Sequence, residues 1–390
     1  MQAADFATEM PGRLVACPLG GAAFIPDPLP PALALDWALA SKLAGATHAV
    51  GELAGLARTL PNPHLLINPF LRREAVLSSR IEGTRSTVSD LVLFEAAGAS
   101  AVGTEDVKEV ANYVAALEYG RQRLNELPLS LRLIREIHRE LMRGVRGEDQ
   151  LPGEFRRNQN WIGGVSISTA TFVPPPVPEM LASLDAFEKY LHAPSALPPL
   201  VRLALIHYQF EAIHPFNDGN GRIGRLLLTL LLLSEGLIPE PLLYLSAYFE
   251  KHRREYYDLL LAVSQSARWT EWVTFFLSAV AEQADDAVAR SNRLLDLKDR
   301  LYAQAHELGA TVPMLQLIER LFDRPAFVIS NVAKELDLTF RGAALIVEKL
   351  VAAGMLKEMT GQARNRVFAC TQILDVLGEG DPRHTSAAAP

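Results

Sequence analysis

A mainly α-helical fold follows from three observations. Apolar residues recur at helical spacing over most of the chain, and the run Leu226 to Leu233 is apolar enough to demand burial on every side. Only one stretch, around residues 160–172, combines glycines with alternation in the way a short β-hairpin does. With 390 residues, 49% of them apolar and 21% charged, the chain is long enough for two or three domains with a substantial core. A net charge of -7 argues against coating by nucleic acid, though it leaves room for a local basic patch. Cys17 and Cys370 stand far apart without metal-ligand spacing, so neither a disulfide framework nor a zinc site follows. The first residues, with Asp5 and Glu9 and no basic segment, lack the layout of a secretory signal, and Leu226 to Leu233 falls short of the roughly twenty apolar residues a membrane span needs. The expectation is a cytoplasmic protein with no membrane contact.

Taken in order, residues 1–31 are rich in proline and read as an extended lead-in. A helix rich in Ala and Leu is predicted from about Pro31 to Leu60. The next starts with Asn68 as cap and Pro69 as first helical residue, runs through Phe70, Ala75 and Ile81, and stops at Gly83. Glu82 in its last turn faces the negative end of the helix dipole, at a cost of some tenths of a kcal/mol. On the residues alone, Glu82 is either solvated and paired with Arg85 or held there for a function. Two more helices, Val107 to Leu127 and Leu129 to Gly144, meet at Pro128, and His138 lies on the buried stripe of the second as a packed histidine. The hairpin follows, centred on Gly163-Gly164 with alternation at Val165 and Ile167, while Arg156 and Arg157 before it read as surface charges. Helices Pro178 to His192 and Pro198 to Ile213 come next; the second turns Val201, Leu205, Tyr208 and Ile213 inward, uses His207 for packing, and delivers His214 at its end.

Beyond Gly236, a helix from Lys251 to Gln265 carries Tyr256 and Tyr257, which as neighbours point in different directions. Trp269, Trp272, Phe275 and Phe276 read as core of a closing helix, and a charged connecting helix covers about Asp285 to Leu308. From Pro313 the layout changes to helices Met314 to Phe322, Asn331 to Leu336 and Phe340 to Ala353, then a polar tip before Arg366 to Ala369. This layout resembles a winged helix-turn-helix, with Arg341 and Lys349 on the second helix of the turn and Arg364 and Arg366 on the wing. It serves as a DNA reader or as a packing and dimerisation module. The resulting sections are 1–100, 101–283, 284–312, 313–376 and a tail from 377 to 390.

The chemistry concentrates in His214-Pro-Phe-Asn-Asp-Gly-Asn-Gly-Arg-Ile-Gly-Arg225. Gly219 and Gly221 flank Asn220, so the backbone there can turn its N–H groups toward an anion. Arg222 and Arg225, spaced i and i+3, share one face at the positive end of the following helix. Asp218 would repel a phosphate directly but suits a Mg²⁺ that bridges phosphates. His214 is placed to take a proton from an incoming hydroxyl.

This stretch matches the signature His-x-Phe-x-Asp/Glu-Gly-Asn-Gly-Arg-x-x-Arg of Fic-domain proteins at every specified position, and the chain resembles that family. The resemblance implies a Fic-type helical core with a β-hairpin flap, and transfer of AMP from ATP to a Tyr, Ser or Thr hydroxyl of a target protein or of the chain itself, with pyrophosphate released. It implies that His214 is the base, that Asp218 holds Mg²⁺, and that Gly219, Asn220, Gly221, Arg222, Ile223, Gly224 and Arg225 bind the nucleotide phosphates. Tyr257 is implied at the adenine, and Trp161, Ile162, Gly163 and Gly164 belong to the flap, where a target segment adds as a strand. Ser78-x-x-x-Glu82-Gly83 matches the family's inhibitory motif, in which Ser78 and Gly83 frame a glutamate that pairs with the second signature arginine. Carried over, that pair is Glu82 with Arg225. Two alternatives remain: a relative that transfers phosphate or phosphocholine, and a nucleotide-sensing DNA-binding regulator. A homodimer is also open.

Overall fold

The computed structural model describes residues 1, 3–17, 20–60, 62–98, 104–145 and 151–378. Its elements in chain order are β1 (Gly12–Ala16), β2 (Ala22–Pro26), α1 (Trp37–Thr59), α2 (His64–Ile81), α3 (Val88–Ala97), α4 (Glu105–Arg123), α5 (Leu131–Leu141), α6 (Val177–His192), α7 (Pro199–Ile213) and α8 (Asn220–Ser234). There follow α9 (Ser246–Lys251), α10 (Arg253–Ser266), α11 (Trp269–Glu307), α12 (Val312–Asp323), β3 (Ala326–Val328), α13 (Ile329–Glu335), α14 (Phe340–Ala352), β4 (Lys357–Glu358), β5 (Val367–Ala369) and α15 (Thr371–Gly378). Helix dominates, as the apolar spacing requires. Two compact units result, Met1–Ala54 with Ala115–Ala284 and Gly55–Val114 with Asp285–Pro390, and they cut across the linear sections drawn from the sequence.

In the first unit α7 and α8 form the centre. From Leu200 to Ile213 every residue of α7 except Glu211 is buried, and so is nearly all of α8. A helix apolar all round has no solvent face and must be surrounded. Accordingly α7 packs against α6, α8, α10 and β2, and α5 packs against α8. Trp272 of α11, fully buried, donates from Nε1 to the Ala204 carbonyl at 2.9 Å and fixes α7 on that side.

In the second unit α2 packs against α12, α3 and α15, and β3 packs against α3. Arg72 bonds Glu95 at 2.7 Å and the Asp323 carbonyl at 3.0 Å, which ties α2 to α3 and α12. Strands β3, β5 and β4 form an antiparallel sheet in that order, with Ala326 opposite Ala369 and Lys357 also opposite Ala369. Thr339 caps α14 by accepting from the Gly342 N–H at 3.1 Å.

Several expectations need correction. Within the expected extended lead-in, β1 and β2 pair as antiparallel strands, Gly12 opposite Pro26, a ladder not expected there. The flanking prolines and the short run Gly12–Ala16, which carries no clear alternation, hid the first strand. Helix α1 starts at Trp37 rather than near Pro31. Helix α2 starts at His64, so Pro69 lies inside it and not at its first position; a proline there removes one backbone donor from the helical ladder. Asn68, assigned as a cap, instead donates its side chain to Asp323. Leu377 and Gly378 close α15, and the rest of the proposed tail, 379–390, lies outside the described residues. Both cysteines are free and buried, and among the described residues no helix is long and apolar enough to cross a membrane.

Candidate functional site

His214 is the residue at which α7 ends. It takes φ 50° and ψ 62°, in the left-handed region, while its N–H still donates to the Phe210 carbonyl at 3.0 Å. Left-handed backbone costs a residue with a Cβ about 1–2 kcal/mol, so other groups must hold the turn. Arg156 does so. Its side chain is 1% exposed, Nε donates to the His214 carbonyl at 3.0 Å, and its own N–H donates to the Pro215 carbonyl at 2.9 Å. The reading of Arg156 as a surface charge is therefore wrong. Only its neighbour Arg157 is exposed.

The turn from Pro215 to Gly219 is braced by amides. Asn220 accepts from the Phe216 N–H at 2.8 Å and donates to the Phe216 carbonyl at 2.8 Å, and Asn160 donates to the same carbonyl at 3.0 Å. Asn220 is 2% exposed, and its side chain organises the loop. Gly219, the residue before α8, has φ 77°, and a Cβ there would lie 3.1 Å from the Met142 sulfur. Gly221 departs from the expected pair of flanking glycines: it lies within α8, which begins at Asn220 and carries Arg222 and Arg225 near its start, as expected.

His138, assigned no role from sequence, joins this turn to α5. Its Nδ1 accepts from the Gly153 N–H at 2.8 Å, so Nε2 carries the proton and donates to the Asp218 carbonyl at 3.0 Å. The ring stacks on Phe216 with centroids 3.8 Å apart and planes 4° apart. Burial pushes His138 down to about 4, with Arg222 adding to the effect and the bond to Asp218 opposing it. His207 behaves alike: burial, then the charge of Arg225, push it down to about 3. Its Nδ1 donates to the Gly224 carbonyl at 3.2 Å, and Nε2 accepts from the Tyr256 hydroxyl at 2.8 Å.

These two imidazoles set an acid dependence. Each has a folded value below the ordinary 6.5, so the unfolded chain binds their protons first as pH falls. The stabilisation is complete above about pH 6.5 and is lost on the way down to about 4 for His138 and about 3 for His207, at up to about 1.4 kcal/mol per pH unit for each ring. The urea midpoint should fall between about pH 7 and about pH 5, and less steeply in His138→Asn; equal slopes in the two proteins would contradict the assignment.

Arg222 and Arg225 are 3% and 2% exposed at the N-terminus of α8, the end that favours anions. Arg222 Nη2 stands 3.7 Å from the Asp218 carboxylate and 3.7 Å from the Met142 sulfur. Ile223 is fully buried, and a Cβ on Gly224 would collide with the Glu211 carboxylate and meet Phe210 at 3.3 Å, both on α7, so this pair lets α7 and α8 approach closely. Asp218 is half exposed, with one oxygen accepting from the Gly219 N–H at 2.6 Å. Among the described residues there is no cluster of three His, Cys, Asp or Glu that could hold a metal by itself. A lone, solvent-facing carboxylate beside an anion site fits Mg²⁺, which takes one or two protein carboxylates and completes its shell with phosphate and water.

The flap closes on one bridge, Ile162 opposite Phe172, with the Ile162 N–H donating to the Phe172 carbonyl at 2.8 Å. It is not the strand ladder expected, since Ile167–Thr169 is a 3₁₀ turn. Gly163 and Gly164 have φ 71° and 70°, and a Cβ on either would lie within 2.5 Å of Thr171 or Thr169. Trp161 is 39% exposed and Val165 93% exposed, leaving apolar side chains on the outer edge. Of the two tyrosines, Tyr256 faces inward to His207, and Tyr257 is exposed, with the Arg253 guanidinium 5.9 Å from its ring centroid. In the second unit Glu82 is the exposed residue at the end of α2, Ser78 is fully buried, and Gly83 takes φ 106°.

Comparison with known proteins agrees with this geometry. Residues 40–122 match the Fic/DOC family N-terminal model and residues 128–232 match the Fic/DOC family model. The chain resembles proteins named protein adenylyltransferase Fic: it is 33% identical over 167 residues to the one from Aedes aegypti and 34% identical over 165 residues to the one from Drosophila virilis. Each alignment covers 41% of this chain and 30% or 32% of the relative, so the chain spans about a third of the length of these curated relatives. A crystal structure of a Fic family protein from Desulfovibrio desulfuricans G20 shares the fold with a TM-score of 0.57, at 20% identity over 88% of this chain and 98% of that one. Fic-1 from C. elegans shares it with a TM-score of 0.52, at 20% identity over 65% of this chain and 74% of that one.

Proposed function

We propose that this chain, built on the Fic/DOC N-terminal and Fic/DOC domains, is a protein adenylyltransferase that moves AMP from ATP to a Tyr, Ser or Thr hydroxyl of a target protein or of itself. The observation that carries this reading is the braced turn that sets His214 beside the N-terminus of α8 and its two buried arginines. The names of the relatives support the choice of donor.

The α8 N-terminus and the Gly219–Gly221 backbone receive the α- and β-phosphates, Arg225 engages the γ-phosphate, and Arg222 supports the phosphate side. Asp218 is the residue that would hold Mg²⁺, whose contribution when bound is to neutralise phosphate charge. The flap positions the acceptor hydroxyl through backbone pairing near Ile162. His214 takes the hydroxyl proton as the oxygen bonds to the α-phosphorus; the bond to the β-phosphate oxygen breaks, and pyrophosphate leaves with its electron pair. Positioning and charge compensation supply most of the acceleration in such transfers. Glu82 restrains this activity by competing with the γ-phosphate for Arg225, a role that rests on the family motif. Tyr257 serves the adenine on the same ground. Incubating Glu82→Gly with α-labelled and with γ-labelled ATP tests the reading: adenylyl transfer leaves only the α label on protein, whereas retention of the γ label would identify a phosphate transferase.

For residues 312–369 we favour a winged helix-turn-helix used for protein contact. The arrangement of α12, α13 and α14 with the sheet β3-β5-β4 supports the layout. Helix α14 exposes Phe340 by 62% and Leu345 by 56% beside Arg341 and Lys349, and a DNA reader needs several phosphate contacts and base-edge groups. Gel shifts with DNA duplexes at several salt concentrations should show no sequence preference. A specific, salt-dependent shift would restore the regulator reading.

A further inference from the structure

We infer that Arg156 is a positioning residue that clamps both ends of the flap loop to the His214 turn, so that one buried cation sets the acceptor and the base together. The inference rests on the adenylyltransferase reading for its kinetic consequence, and on geometry alone for its structural one.

The guanidinium reaches three segments at once. Nε donates to the His214 carbonyl at 3.0 Å, Nη1 to the Asn158 carbonyl at 3.2 Å where the flap loop begins, and Nη2 to the Pro175 carbonyl where it ends. Gln159 adds a parallel tie, Nε2 to the Pro174 carbonyl at 2.9 Å, and Ile162 pairs with Phe172 farther out. Residues 158–175 are thus a loop closed at its base, with the Trp161 and Gly163-Gly164 edge projecting from a fixed root. All side-chain partners of Arg156 are backbone carbonyls. A buried charge satisfied by three carbonyls gains geometry rather than an ion pair, because a planar fork of five donors fixes the relative positions of its acceptors. Burial lowers its value to about 10, which still leaves it protonated at neutral pH. Lysine, with a compact charge at the end of a flexible stem, cannot span the same three acceptors. The left-handed backbone of His214 gives the clamp a further role, since releasing its carbonyl frees that residue to relax toward commoner angles and carry the imidazole with it.

The test compares Arg156→Lys with its parent, Glu82→Gly, and uses Arg157→Ala as a control for lost surface charge. Single-turnover transfer of α-labelled AMP to the chain itself at saturating ATP should fall by about tenfold to a hundredfold in Arg156→Lys, as a misplacement near 1 Å costs. The affinity for a non-hydrolysable ATP analogue should stay within about threefold, since the α8 N-terminus is untouched. An unchanged rate, or a rate loss matched by an equal loss of analogue affinity, overturns the inference. Arg156→Met, which removes the cost of burying the charge, serves if the lysine variant does not fold. Amide hydrogen exchange gives a readout independent of activity: residues 158–175 and 214–216 should lose protection together, and loss confined to one segment also overturns the clamp. If the parent transfers no label, the adenylyltransferase reading fails, and exchange still decides the clamp.

Discussion

Replacing His214 is expected to lower label transfer from ATP by about 10²–10⁴-fold, the range for removal of a general base. The substitution must respect the backbone. At φ 50° a β-carbon residue without a polar side chain adds strain, whereas asparagine is among the non-glycine residues that adopt left-handed angles most often. His214→Asn therefore separates loss of the base from loss of the turn better than His214→Ala does. With the fold preserved, affinity for an ATP analogue should be unchanged in the asparagine variant, because the phosphate contacts proposed above lie on α8. Transfer within threefold of the parent would remove His214 from the mechanism.

The second large effect runs the other way. Glu82→Gly is expected to raise transfer by about 5–150-fold, the usual span of a coupling between two competing states, as Arg225 becomes available to the γ-phosphate. The cost to α2 is small, since Glu82 is exposed at the helix end and is followed by Gly83, which already takes the left-handed angle. Glu82→Gln, which keeps the shape and removes the charge, should give most of the same increase. If both variants label no faster than the parent chain, Glu82 is a solvated residue and the inhibitory assignment fails. If only Glu82→Gly is faster, flexibility at the end of α2 and not charge is the cause.

The site was legible where its chemistry is contiguous. His214, Asp218, Arg222 and Arg225 lie within twelve residues, and their types alone point to a base, a carboxylate and an anion site. What supports them comes from far away in sequence. Arg156 and Asn160 reach the turn across more than fifty residues and His138 across eighty, and no local pattern distinguishes a buried clamp from a surface arginine or a packed histidine. One signal was available: Arg156 stands in the stretch that leads into the Gly163-Gly164 turn, where a charge near a loop root is worth testing for burial. Helix starts failed for a related reason. The good cap Asn68-Pro69 drew attention from a start at His64. The β1–β2 hairpin was missed because strands of five residues carry too few alternations to stand out beside prolines.

The two hydrogen bonds between the Asn220 side chain and the Phe216 backbone also bear on how long the protein lasts as a molecule. Asn220-Gly221 is an asparagine–glycine pair, the dipeptide in which the following backbone nitrogen most readily attacks the side-chain carbonyl, expelling ammonia to leave a cyclic imide that water then opens to a carboxylate. Folded, the side-chain oxygen is held by the Phe216 N–H, the side-chain nitrogen by the Phe216 carbonyl, and Gly221 by helical geometry, so the attack has no route. Unfolded, nothing prevents it. Time spent unfolded thus risks placing a negative charge at the first residue of α8, and the candidate site ages in proportion to the fraction of molecules that are open.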